Sequence, residues 1–209
     1  MLSVCLRCKA KCCRRYWIYL LKEDADKLAS ALHMPTKQFV EEYCTALIKA
    51  VPCYSPAKIC SLAGALLPKR VAKVIRRFFG IVPPYLMFFP AIVLSRTHRR
   101  CVFLNDKFLC ELYEARPLVC RLFPEKLIMQ HHQDTVKRFC PLARNKHLCF
   151  STDHYNRFKH QFDLMLTNGI ASQFGTIPHT TVFTMGAHEC SLHVEDAHRL
   201  FEMLWGKIK

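Results

Sequence analysis

Thirteen cysteines stand in 209 residues, and eight of them fall in a pattern that can do chemistry. Cys5 and Cys8 have two residues between them, a spacing that lets two sulfurs reach one ion from a single turn. Tetrahedral zinc–thiolate sites and iron–sulfur centres both use it. Cys12 and Cys13 follow almost at once. Neighbouring side chains tend to diverge, so this pair is expected to serve different ions, or to split into a ligand and a reactive thiol. Cys101, Cys110, Cys120 and Cys140 come later at wide spacing, and Cys140 precedes Pro141 as the last ligand often precedes proline in bacterial ferredoxins. The first motif begins at Cys5, which leaves no room ahead of it for an export leader, so the expected compartment is the reducing cytoplasm. There, dense cysteine favours metal ligation over structural disulfides.

The remaining soft ligands carry weaker signals. Cys44 is expected on a helix as a small buried hydrophobe, and Cys53, Cys60, Cys149 and Cys190 as ordinary thiols. His188-x-Cys190-x2-His193 and His147-x-Cys149 have ligand-like spacing, and His131–His132 is weaker still. With eleven histidines present, chance proximity explains all three.

Elements that would position the eight cysteines can be read from apolar periodicity. Residues 16–21 suit a short strand. Residues 22–32 suit a helix whose stripe is Leu21, Ala25, Leu28 and Leu32. Pro35 breaks it and Thr36 caps a second helix with Phe39, Val40, Tyr43, Leu47 and Ile48 on its apolar face. Residues 101–112 read as a hairpin turning at 105–107. A two-residue turn would place Cys101 and Cys110 on one face, as a shared metal requires, and a three-residue turn would oppose them. Pro117 suits a helix start, which puts Cys120 in an early turn. Helices are expected over 153–168 and 194–204, with a looser threonine-rich stretch between them.

Thirty-one basic against sixteen acidic residues give a formal charge of +15, which points to phosphate-bearing partners. Residues 69–79 form a basic amphipathic pattern: Val71, Val74, Ile75 and Phe78 on one side, Lys69, Lys73, Arg76 and Arg77 on the other. Residues 78–95 carry no charge, but Pro83, Pro84 and Pro90 argue against a spanning helix. Two roles for 69–95 are therefore expected as alternatives, contact with an anionic membrane surface or packing of the apolar face on the protein's own core. The protein is expected to be cytoplasmic or peripheral to a membrane. Nucleic acid is an alternative polyanion, without a motif to support it. Six glycines and no G-x-G pair exclude a Rossmann-type cofactor site.

At the cysteines the sequence resembles a known family. The carrying residues are Cys5-x2-Cys8-x3-Cys12-Cys13, the segment Leu-Leu-Lys-Glu-Asp-x3-Leu-Ala, Cys101-x-Phe-Leu, and Cys110-x-Leu-Tyr-Glu-x-Arg-Pro-x2-Cys-Arg-x-Phe-Pro ending at Pro124. They are similar to the CxxCxxCC family of zinc- or iron-chelating proteins, with one extra residue between Cys8 and Cys12. The likeness covers 5–49 and 101–141, and leaves 50–97 as an added basic and apolar segment. It implies a metal-binding protein whose ligands are Cys5, Cys8, Cys12, Cys13, Cys101, Cys110, Cys120 and Cys140, with zinc or an iron–sulfur cluster as cofactor. The family includes flagellin lysine N-methylases, so it also implies an alternative, an iron–sulfur-dependent protein lysine N-methyltransferase. A peripheral membrane or nucleic-acid interaction protein is the third reading. No catalytic residue is assigned: Tyr113, Arg116 and Arg121 suit hydrogen bonding and charge compensation around an anionic thiolate cluster better than catalysis. The expected fold is α+β and mainly helical, a small cysteine-rich metal-centred domain with a short β-hairpin over 1–150. Residues 151–209 would be a helical extension packed on it.

Overall fold

A computed structural model of the chain describes residues 9–53, 60–62, 69–79, 85–121, 123, 140, 156, 160, 174–185, 188–193, 195–197 and 199–200. Helices are α1 (Lys11–Arg15), α2 (Lys22–Ala31), α3 (Thr36–Tyr43), α4 (Lys69–Phe79) and α5 (Leu118–Arg121). Strands are β1 (Cys44–Cys53), β2 (Cys60–Leu62), β3 (Tyr85–Leu94), β4 (Arg96–Thr97), β5 (Arg100–Cys101), β6 (Thr180–Met185) and β7 (His188–Ser191). The chain divides into two compact units: Met1–Phe39 with Val93–Thr167, and Val40–Ile92 with Asn168–Lys209. Helices beside a small mixed sheet make the fold α+β.

The first unit contains the described cysteines of the motif, Cys12, Cys13, Cys101, Cys110, Cys120 and Cys140. Its α2 forms where the apolar stripe places it, with Leu21, Ala25 and Leu28 buried and Glu23 and Asp24 in the first turn. The helix stops in a Schellman arrangement: His33 N–H donates to the Ser30 carbonyl and Met34 N–H to that of Ala29, both at 3.1 Å. His33 sits there in the left-handed region at φ 56°, where its Cβ is strained. His33→Gly is therefore expected to stabilise the protein by about 1 kcal/mol. Thermal melting checks this through a rise of roughly 2–4 °C, and an unchanged or lower midpoint would refute it. Pro35 follows, and α3 starts at Thr36, whose hydroxyl donates to Asp26 at 2.7 Å. Phe39 then stacks on Phe103, with ring centroids 6.4 Å apart. The strand expected at 16–21 reduces to a single bridge between Tyr19 and Val93, supported by the Leu94 N–H on the Ile18 carbonyl.

The second unit departs from the periodicity reading. The helix expected to run on through Leu47 and Ile48 ends at Tyr43, and Cys44–Cys53 is strand. Cys44 therefore starts β1 rather than lying on a helix, although it is buried as expected, 2 % exposed. The strands lie in the order β2-β3-β1-β6-β7. β1 runs parallel to β6 in the register Thr45↔Thr180 to Ala50↔Met185, and β7 returns antiparallel to β6. The threonine-rich stretch is thus a sheet strand, with Thr181, Val182, Phe183 and Thr184 all buried. Part of the uncharged run is β3, an extended segment that carries Pro90. Helix and strand occupy comparable shares of the described residues, because these strands take up so much of them.

α4 forms as its pattern dictates, with Lys69, Lys73, Arg76 and Arg77 exposed and Ile75 fully buried. The apolar stripe is thus used, at Ile75 at least, inside the protein. No helix among the described residues is long and apolar enough to cross a membrane. The helix expected at 153–168 lies almost entirely outside the described residues. Of that expected at 194–204, residues 195–197 and 199–200 are helical, with Ala197 and Leu200 buried.

Candidate metal centre

Lys9 and Ala10 lead into α1 with φ of 53° and 46°. Two successive left-handed residues are unusual without glycine. α1 then presents Cys12 and Cys13 with their sulfurs 3.8 Å apart. The expected divergence is therefore corrected: on this short helix the two thiols converge. Their separation matches the edge of a sulfur tetrahedron with bonds of about 2.3 Å, which is about 3.8 Å.

α1 lies against β5, and β5 pairs with β4 in the register Arg96↔Cys101. Cys101 therefore belongs to a hairpin over 96–101, while the hairpin expected over 101–112 is present in shorter form, around 103–111. Its two-residue turn puts His98 at φ 51° and Arg99 at φ 63°, the left-handed pair that matches strand twist. After Cys101 the chain turns at once, with the Leu104 N–H on the Cys101 carbonyl at 3.0 Å. Only then does a short antiparallel contact form, with Leu104 bridged to Cys110 and the Glu111 N–H on the Phe103 carbonyl. Asn105 closes this loop by accepting the Lys107 and Leu109 N–H groups on Oδ1, both at 3.0 Å.

The loop has three residues, 106–108, the case expected to set Cys101 and Cys110 on opposite faces. That expectation assumes unbroken strand alternation, which the turn at 101–104 interrupts, and Cys101 feels the charge of Cys110. Cys120 sits in α5, where the Pro117 carbonyl accepts both the Cys120 N–H at 2.9 Å and the Arg121 N–H at 3.1 Å.

Charge links these thiols. Burial pushes Cys101 up to about 11, reinforced by Cys110 and Cys12 and opposed by the Phe103 N–H on its sulfur and by Arg96. Burial also raises Cys110, against the Leu112 N–H and Arg116 and together with Glu111 and Cys12. Cys120 lies well above the thiol range, from burial first and then from Cys101, Cys12 and Cys110, with Arg116 opposing. Cys12 is raised by its hydrogen bond with Cys13 and then by burial. Cys101, Cys110 and Cys120 thus each feel the ionisation of Cys12, from a distant part of the chain, and Cys12 feels that of Cys13. Together they cannot become thiolates near neutrality unless positive charge joins them.

The sequence pattern of the CxxCxxCC family, described as a zinc- or iron-chelating domain, matches residues 4–141. The chain belongs to the CxxCxxCC family. No curated protein and no solved structure matches it.

The donor chemistry fits the metals the CxxCxxCC description names. Cys12, Cys101, Cys110 and Cys120 offer sulfur only, which suits zinc or an iron–sulfur cluster over hard cations. Backbone N–H groups two residues on approach the sulfurs of both Cys101 and Cys110, a contact that favours the thiolate form. Among the described residues no three His, Cys, Asp or Glu side chains are already closed to metal-holding geometry. Cys140 is buried in the same unit, 6 % exposed, while Cys5 and Cys8 lie outside the described residues. His188 and Cys190 are on β7 in the other unit, and His193 is exposed. His147, Cys149, His131 and His132 lie outside the described residues, and so do the side chains of Cys53 and Cys60.

Tyr113 and Arg116 act as a pair. The guanidinium lies 3.7 Å from the Tyr113 ring centroid, its Nε–H donates to the Tyr113 carbonyl at 2.9 Å, and its charge faces Cys110 and Cys120. Arg121 is exposed. Arg96 escaped the sequence reading. Its Nη2 donates to the carbonyls of Arg14 at 2.9 Å and Arg99 at 2.7 Å, and its guanidinium lies 5.0 Å from the Trp17 ring centroid. It ties the end of α1 to the β4–β5 turn and lowers the cost of a Cys101 thiolate. The signal was hidden because Arg96 looked like one more flanking cation and its partner Arg14 is 82 residues away.

One pH effect follows for the demetallated protein. Cys101 keeps its proton to about 11, against an ordinary value of 9.0. Above pH 9 the unfolded chain binds fewer protons than the folded one, so stability falls as pH rises. The expected loss from this group between pH 9 and pH 11 is about 3 kcal/mol, with none below pH 9. Denaturant unfolding at both pH values checks it, and a flat stability would contradict the burial assigned to Cys101.

Proposed function

We propose that this chain holds zinc or an iron–sulfur cluster through Cys5, Cys8, Cys12, Cys13, Cys101, Cys110, Cys120 and Cys140. The observation that carries the reading is the electrostatic influence of Cys12 on Cys101, Cys110 and Cys120, with Cys101 and Cys110 acting on Cys120 as well. Four neutral thiols are an awkward use of a buried site, and four thiolates need a cation. Cys13 supports it through its sulfur 3.8 Å from that of Cys12.

The roles follow from the geometry. Cys12 and Cys13 come as a rigid pair on α1, Cys101 and Cys110 on neighbouring turns, and Cys120 on α5. Arg96 and Arg116 offset part of the negative charge that deprotonation creates. Zinc would supply structure and Lewis acidity, and an iron–sulfur cluster electron transfer or sensing. Protein purified without oxygen, with elemental and sulfide analysis beside an absorption spectrum, tests the reading. Broad visible absorbance with matching iron and sulfide means a cluster, and a colourless stoichiometric zinc protein means zinc. Neither metal bound above trace level would reject the proposal.

A further inference from the structure

Asp24 is the one charged side chain among the described residues that is buried, 3 % exposed. Burying a carboxylate is unfavourable unless its oxygens are hydrogen-bonded. The start of α2 uses only one oxygen: Oδ2 accepts the Leu21 N–H at 3.3 Å. The other, Oδ1, accepts the Leu118 N–H at 2.8 Å, 94 residues further on.

Leu118 is the first residue of α5, the turn that carries Cys120. A helix start is normally capped by a Ser, Thr, Asp or Asn side chain just before it. Pro117 occupies that place and has no such oxygen, and four residues are too few to hold a helix by themselves. The cap therefore arrives from α2. Leu118 and Val119 also pack against Leu21, so the turn is fixed at its backbone and its apolar side by the same point on α2.

We propose that Asp24 is a positioning residue for the metal centre, holding the turn that aims the Cys120 sulfur. This rests on the reading of Cys120 as a ligand. Asn at this place keeps the size but offers one acceptor where two are needed.

The test compares zinc-loaded wild type with Asp24→Asn, Asp24→Glu and Leu28→Ala. Each is treated with an alkylating reagent, and mass spectrometry reads the modification rate at every cysteine. Asp24→Asn is expected to raise the Cys120 rate by roughly 10-fold or more while Cys101 and Cys110 stay protected. Asp24→Glu, which retains both acceptors one methylene further out, should fall between it and wild type, and it carries the test if Asp24→Asn does not fold. Leu28→Ala weakens the same helix through a cavity without touching the cap, and should leave Cys120 protected. Wild-type protection of Cys120 in the Asp24 variants, equal exposure in Leu28→Ala, or loss of protection at all three cysteines alike would overturn the role of Asp24. Wild type that holds neither zinc nor an iron–sulfur cluster and leaves Cys120 open would overturn the metal-site reading itself.

Discussion

Zinc uptake by the demetallated protein is expected to release about four protons per ion near neutral pH. A metal takes thiolates, and Cys12, Cys101, Cys110 and Cys120 are all held above the ordinary thiol range. Their protons must therefore leave as the ion enters. The sign is fixed by mass action: raising pH removes the competitor and strengthens binding. With four thiols to deprotonate, apparent affinity should rise by up to ~10⁴ per pH unit. Calorimetry in two buffers of different ionisation enthalpy reads the protons directly. Release of one proton or fewer, with an affinity flat between pH 6 and 8, would mean that these thiols are not the ligands.

Cys120→Ser is expected to lower the melting temperature of the metal-loaded protein by roughly 10 °C. A ligand bound only by the folded state stabilises it by about 4 kcal/mol at a thousandfold excess over Kd. For a chain of this size each kcal/mol moves the midpoint by roughly 2–4 °C. The substitution removes one sulfur from a set that few regular elements hold in place, since α1 and α5 are five and four residues long. Without metal the difference should be clearly smaller, limited to the cost of placing a hydroxyl where the buried thiol stood. A loss of the same size in both forms would assign the effect to packing, and no loss in either would separate the centre from folding.

The helices around the proposed centre were legible because short-range rules govern them. The stripe of Leu21, Ala25 and Leu28, with Pro35 and Thr36, marked α2 and the start of α3. Pro117 marked the turn with Cys120. The sheet was less legible for a physical reason. Thr45, Ala46, Leu47 and Ile48 are all buried, so β1 shows no alternation, and Leu47 and Ile48 also satisfy the spacing of a helix face. The clue that favours strand in β6 is its β-branched content, Thr180, Thr181, Val182 and Thr184.

Strand parity misled at Cys101 and Cys110 because it assumes a continuous strand, which the turn from Cys101 to Leu104 breaks. Asp24 and Arg96 were out of reach for another reason. Each gains its role from a backbone group on a distant part of the chain, at Leu118 and Arg14, and local pattern carries no trace of such a bond.

The most direct measurement of the central claim is X-ray absorption at the edge of whichever metal is present in protein prepared without oxygen. Thiolate ligation predicts a shell made of sulfur alone, near 2.3 Å for zinc, with an additional iron–iron distance if the centre is a cluster. A shell dominated by nitrogen or oxygen would contradict the account, whatever the metal content.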